Sequence, residues 1–175
     1  MSCLLLLSIG FSAAESQPDA ETRLKTAGLD NKISYLSQAS NSTQAVINYP
    51  LSAVQNSILQ YLGDREIGIE SQSPTTDGGV SITSQHFSKH IGIAFLKPHE
   101  IRGSFVFNLK AKDDQTTLLT IQLNLQYYQV VESTSGDVFQ TGAWKPYAAS
   151  LYQEKIKNIY RQELSEIVLI LSSGQ

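Results

Sequence analysis

Apolar and polar residues alternate most regularly between Ile101 and Val131. Ile101, Gly103, Phe105, Phe107, Leu109 and Ala111 share one parity, and Arg102, Ser104, Asn108 and Lys110 the other, interrupted only by Val106. After a polar break, Leu119, Ile121, Leu123, Leu125, Tyr127 and Val131 alternate with Thr120, Gln122, Asn124, Gln126, Tyr128 and Val130. Successive strand side chains point to opposite faces, so each run predicts a strand with one apolar face and one mostly wet face. Opposed residues of a hairpin share a face, and two odd-numbered apolar sets therefore need a loop with an odd number of residues. Asp113-Asp114-Gln115 meets that condition and predicts Leu109 opposite Leu119 and Phe105 opposite Leu123. A two-residue Asp-Asp turn would put one apolar set in water.

Other elements flank this hairpin. Ile33 to Leu36 and Ala45 to Tyr49 read as short strands. Pro50 sits where a helix accepts proline, and Leu51, Val54, Ile58 and Leu62 follow at helical steps, with Gly63 as the expected left-handed stop. Glu66 to Glu70, with Ile67 and Ile69 inward, and Val80 to Thr83 predict a second hairpin around the turn-rich Ser73 to Gly79. Gln85 to Glu100 is ambiguous, and Ser133 to Gly142 reads as a polar loop before Trp144. After Pro146, Ala148, Leu151, Tyr152, Ile156, Ile159, Tyr160, Leu164, Ile167, Val168 and Leu171 form one helical stripe. A helix of roughly 25 residues would run about 37 Å, long enough to lie across such strands. The expected fold is α+β: an antiparallel sheet wrapped on a long C-terminal helix, with a second, short helix.

The ends of the chain read differently. Leu4 to Leu7, Ile9 and Phe11 form a short apolar run, and Ser12-Ala13-Ala14 fits a small-residue cleavage site, so residues 1–14 are expected to be a signal peptide. Residues 15–31 are polar and contain Pro18, which predicts a tether, and 32–175 a single α+β domain. Cys3 is the only cysteine, which rules out an intrachain disulfide. It precedes the apolar run, so lipidation there would need a longer N-terminus; membrane association is expected only if the protein is lipidated.

Composition narrows the function classes. The net charge of −3, with 13 scattered Lys and Arg, gives no basic field for nucleic acid. His86 and His90 are four apart and could hold zinc with His99 if they were helical, Glu100 adding an oxygen. The intervening Phe87-Ser88-Lys89 shows no helical stripe, so these histidines read as solvated loop residues, and no metal or cofactor is expected. Many serines are present but no Gly-x-Ser-x-Gly elbow, and Asp113-Asp114 belongs to a hairpin tip. Glu154, Lys155, Lys157, Arg161, Glu163 and Glu166 are expected on the solvated face of the last helix. No catalytic residue is assigned.

Two surfaces remain. Tyr128, Val130 and Val106 carry the solvent-side parity of their strands and form a candidate docking patch. Gly103, Phe105, Phe107, Leu123 and Tyr127 line a candidate pocket for a small apolar ligand between sheet and helix, Gly103 leaving room for it.

Val46-Ile47-Asn48-Tyr49-Pro50 leading into the Leu51–Leu62 helix and Gly63, the strand start at Gly78-Gly79-Val80-Ser81-Ile82, and Trp144 before the closing helix make a recognisable layout. It resembles the helix-grip domains of BamC-type lipoproteins of the outer-membrane β-barrel assembly machine, over roughly Ala45 to Leu171. The chain has one such domain where that family has two, and no functional residue is carried over. The resemblance implies a non-enzymatic envelope accessory protein, exported to the periplasm or the outer-membrane periphery of a Gram-negative bacterium, with a protein partner. The alternative is a periplasmic carrier of a small apolar ligand or lipid.

Overall fold

The long hairpin organises the sheet. In the computed structural model, which describes residues 19–39, 42–87, 101–131, 141–147 and 153–174, β5 (Ile101–Ala111) and β6 (Thr117–Val131) pair antiparallel in full register. Leu109 faces Leu119 and Phe105 faces Leu123, as the parity argument requires. Lys112 N–H donates to the Thr116 carbonyl, leaving Asp113-Asp114-Gln115 as the loop. Asp113 closes it by accepting from Gln115 N–H (2.8 Å) and the Thr116 hydroxyl (2.6 Å), which hold its carboxyl below the usual range.

Preceding strands extend the hairpin on both sides. β1 (Ile33–Gln38) pairs with β2 (Ser42–Ile47), and β2 pairs with the first half of β6. On the other side β4 (Val80–Ser84) pairs with β5 and β3 (Ile69–Pro74) with β4. The order is β1-β2-β6-β5-β4-β3, all antiparallel, and β7 (Thr141–Pro146) pairs with the second half of β6. The single edge of β6 therefore serves β2 from Thr117 to Gln122 and β7 from Gln126 to Val131.

The odd-numbered face of the hairpin is the core. Phe105, Phe107, Leu109, Leu119, Ile121, Leu123 and Leu125 are buried there with Ala45, Ile47 and Ile82. Three helices cover it: α1 (Ala20–Thr26), α2 (Leu51–Asp64) and α3 (Gln153–Ser173). Tyr160, Leu164, Ile167, Val168 and Leu171 form the buried stripe of α3. Tyr160 also spans the break between β2 and β7, where its hydroxyl accepts from Leu123 N–H at 3.0 Å.

Several expectations are corrected. Residues 19–31 are not a tether: Asp19 caps α1 by accepting from Thr22 N–H, Leu24 enters the core, and Arg23 pairs with Glu166 of α3 at 3.0 Å. Leu24, the apolar member of an otherwise polar helix, acts only once α3 supplies its partner surface. Residues 1–18, the expected signal peptide included, lie outside the described residues. α2 runs through Gly63, and the left-handed residue is Glu66, at φ 57°. Ile67 N–H bonds back to Leu62 O and Glu66 N–H to Gly63 O, a Schellman closure that joins Ile67 to Leu62 in the core. Ile69 is 41% exposed rather than inward: it stands opposite Ser84 on the edge strand β3, every residue of which is exposed.

Glu163 and Glu166 are not simply solvated. Tyr61 donates its phenolic O–H to Glu163, and Arg65 lies 3.6 Å from the same carboxylate and 4.3 Å over the Tyr61 ring. Burial pushes the Glu163 carboxyl above its usual range against the opposing pull of the Tyr61 hydrogen bond and Arg65. Arg161 keeps its exposed place, 5.9 Å over the Tyr35 ring.

Candidate functional site

Among the described residues, the candidate pocket positions other than Tyr127 pack against one another and against Phe87. Phe105, Phe107 and Leu123 do come together, but as core residues, with the two phenylalanine rings 5.6 Å apart. Gly103 leaves room for Phe87: a Cβ there would stand 3.1 Å from the Phe87 ring and 3.3 Å from Leu123. Phe87 pairs its backbone with Gly103 and stacks on Phe105 at 5.0 Å. The glycine thus accommodates an aromatic ring of the protein. Tyr127 lies farther along β6, edge-on to Tyr147 at 6.4 Å.

The candidate patch is likewise rearranged. Val106 sits opposite Gln122, whereas Tyr128 lies six residues further along β6, about 20 Å at 3.4 Å per residue. The structure does not bring them together. Val130 pairs its backbone with Gly142, and its side chain lies outside the described residues. Tyr128 keeps its place on the outer sheet face but has different neighbours.

Those neighbours come from three strands. Trp144 on β7 faces Tyr128 across the ladder, ring centroids 5.3 Å apart and planes at 64°. Gly142, diagonal to Tyr128, lacks the Cβ that would run into the tyrosine ring, so the ring lies down over the β7 backbone. Arg102 on β5, opposite Gln126, donates from Nε to Gln126 Oε1 at 2.8 Å. Its guanidinium carbon stands 4.2 Å over the Trp144 ring. Arg102, Gln126, Tyr128 and Trp144 therefore form one corner, each half-buried, on the face opposite the helices.

This corner joins apolar area to directed donors. An aromatic pair offers rigid contact surface at low entropic cost, and a guanidinium stacked on tryptophan keeps its fork in one plane. The alternation along the chain places Tyr128 on the outer face but gives no sign that Trp144 and Arg102 join it. The missing step was β7: the alternation of Gly142, Trp144 and Pro146 with Ala143 and Lys145 is its only trace, masked by glycine and proline.

Elsewhere the outer face of the hairpin mixes Val106 and Leu118 with polar side chains. A shallow groove at the hairpin end is lined by Gln44, Asn108, Lys110 and Thr120, but Lys110 is tied to Asp77 at 2.9 Å. Thr75 and Lys110 together lower the Asp77 pKa to about 2. His86 is exposed, and His90 and His99 lie outside the described residues. Among the described residues no three His, Cys, Asp or Glu side chains cluster as a metal site, and no helix is long and apolar enough to cross a membrane.

No protein-family model matches the chain, and no curated protein matches it in sequence.

Proposed function

We propose that the protein is exported to the envelope of a Gram-negative bacterium and works there without catalysis, by docking a protein partner at the Arg102–Gln126–Tyr128–Trp144 corner. The carrying observation is the corner itself: two aromatic rings and a stacked guanidinium on the sheet face opposite the three described helices. Aromatic and arginine side chains on one patch are the composition of binding hot spots. The sheet edges suit a partner less well. β1 is bulged at Leu36 and β3 at Glu70, and bulges are a usual means of blunting an edge against added strands.

Export is supported by the apolar run and small-residue site within residues 1–14. The layout shared with BamC-type domains supports an accessory role in an outer-membrane or secretion assembly. The carrier alternative is less favoured, because Phe87 occupies the room over Gly103 that it drew on.

Photo-crosslinking in cells tests the docking. A photoreactive phenylalanine analogue replacing Tyr128 is expected to give one discrete adduct with an envelope protein, and one replacing Leu118 on the same strand face is expected to give none. Equal labelling from both positions, or none from position 128, refutes the reading.

A further inference from the structure

The corner contains a guanidinium whose donors are only partly used. Arg102 spends Nε on Gln126, while the Trp144 ring supports the plane of the fork. Among the described residues no carboxylate pairs with Arg102, and no described helix lies over the half-buried corner. The other surface ion pairs of the outer face are closed: Lys110, the other cation on the outer face of the hairpin, is bound to Asp77. A guanidinium held flat by a ring below and an amide beside it has already lost much of its rotamer freedom. Its remaining Nη edge is shaped for two parallel bonds to a planar carboxylate.

We propose that Arg102 is a carboxylate-recognition point, and that the partner docked here presents an acidic side chain flanked by apolar or aromatic ones. The inference rests on the docking reading above and adds the chemistry of the partner's segment. The carboxylate meets the Nη edge of Arg102, and the flanking side chains lie on Tyr128 and Trp144. Local charge favours this occupant: although the chain as a whole carries a net charge of −3, the corner itself holds one preorganised cation that no carboxylate of the described residues pairs. A single guanidinium matches a single carboxylate. An anionic membrane is read instead by clusters of several Lys and Arg, which this face lacks among the described residues.

The protein supplies its own probe, because Trp144 is its only tryptophan and its fluorescence reports this corner alone. The ligands are a capped peptide with one aspartate between two phenylalanines, its asparagine counterpart, and vesicles of anionic phosphatidylglycerol. The full chain is expected to bind the aspartate peptide about tenfold more tightly than the asparagine peptide, the scale of one hydrogen-bonded charge. Arg102→Gln should abolish that preference, and Arg102→Lys should lose most of it, since lysine keeps the charge but not the fork. Circular dichroism of each variant shows whether it remains folded, and competition by the free aspartate peptide against the crosslink from position 128 gives a second measure that leaves Arg102 intact. Equal affinity for the two peptides, or a response to vesicles alone, overturns the carboxylate assignment. If the adduct at position 128 forms nonetheless, docking stands without it. If neither peptide nor adduct is seen, both readings fall together.

Discussion

Replacing Tyr160 with phenylalanine removes one oxygen and keeps the ring. That oxygen is the acceptor for Leu123 N–H, in the stretch of β6 that neither β2 nor β7 pairs. Both residues are buried, so water does not replace the lost acceptor. Leaving a buried donor unsatisfied costs about 1–3 kcal/mol, more than the net value of an ordinary hydrogen bond. Tyr160→Phe should therefore lower the stability of the protein by about 1–3 kcal/mol, equivalent to about 2–4 °C in Tm per kcal/mol for a domain of this size. Urea titration followed by circular dichroism checks it: the midpoint should fall with an unchanged slope, because the same surface is exposed on unfolding. Amide exchange adds a local readout, with the Leu123 amide losing protection and the paired Phe105 amide keeping it. A loss below about 0.5 kcal/mol, or unchanged protection at Leu123, refutes the claim that the α3 hydroxyl completes the β6 ladder.

Three further outcomes follow from local geometry. Glu66→Gly should stabilise the protein by about 0.5–1 kcal/mol in urea titration, since Glu66 is exposed and holds a left-handed φ that costs a residue with a Cβ. Gly79→Ala should destabilise by about 1–3 kcal/mol, because its Cβ would press on the Leu109 carbonyl and stand 2.8 Å from Thr75 Oγ1, where backbone must move; a neutral result would contradict the close approach. For Glu163, whose folded pKa is raised by burial, the folded state binds the proton more tightly than the unfolded state. Its contribution is then full below the unfolded carboxyl pKa and is lost as pH rises through the folded value, and Glu163→Gln should flatten the decline of the urea midpoint as pH rises above the usual carboxylate range. Asp77, held at about 2, acts with the opposite sign, its contribution being lost as pH falls from 3.8 toward 2.

Strand parity was legible because it is a local property. Leu119, Ile121 and Leu123 could reach a core only if Phe105, Phe107 and Leu109 turned the same way, and this determined the loop length and every cross-strand pair of the hairpin. The α2 and α3 stripes were legible for the same reason, since each depends on residues within a few turns of one another. What the sequence could not determine involved partners distant in the chain. Leu24 reads as one apolar residue in a polar stretch until α3 lies beside it, and Glu163 reads as a surface charge until Tyr61 of α2 and Arg65 at its C-cap arrive. Gly103 reads equally as room for a ligand or for a ring, and only the return of Phe87 decides. The corner depends most on tertiary structure: Arg102, Tyr128 and Trp144 meet because β6 is long enough to take β7 beyond β2 on one edge, and side chains from three strands then share a face.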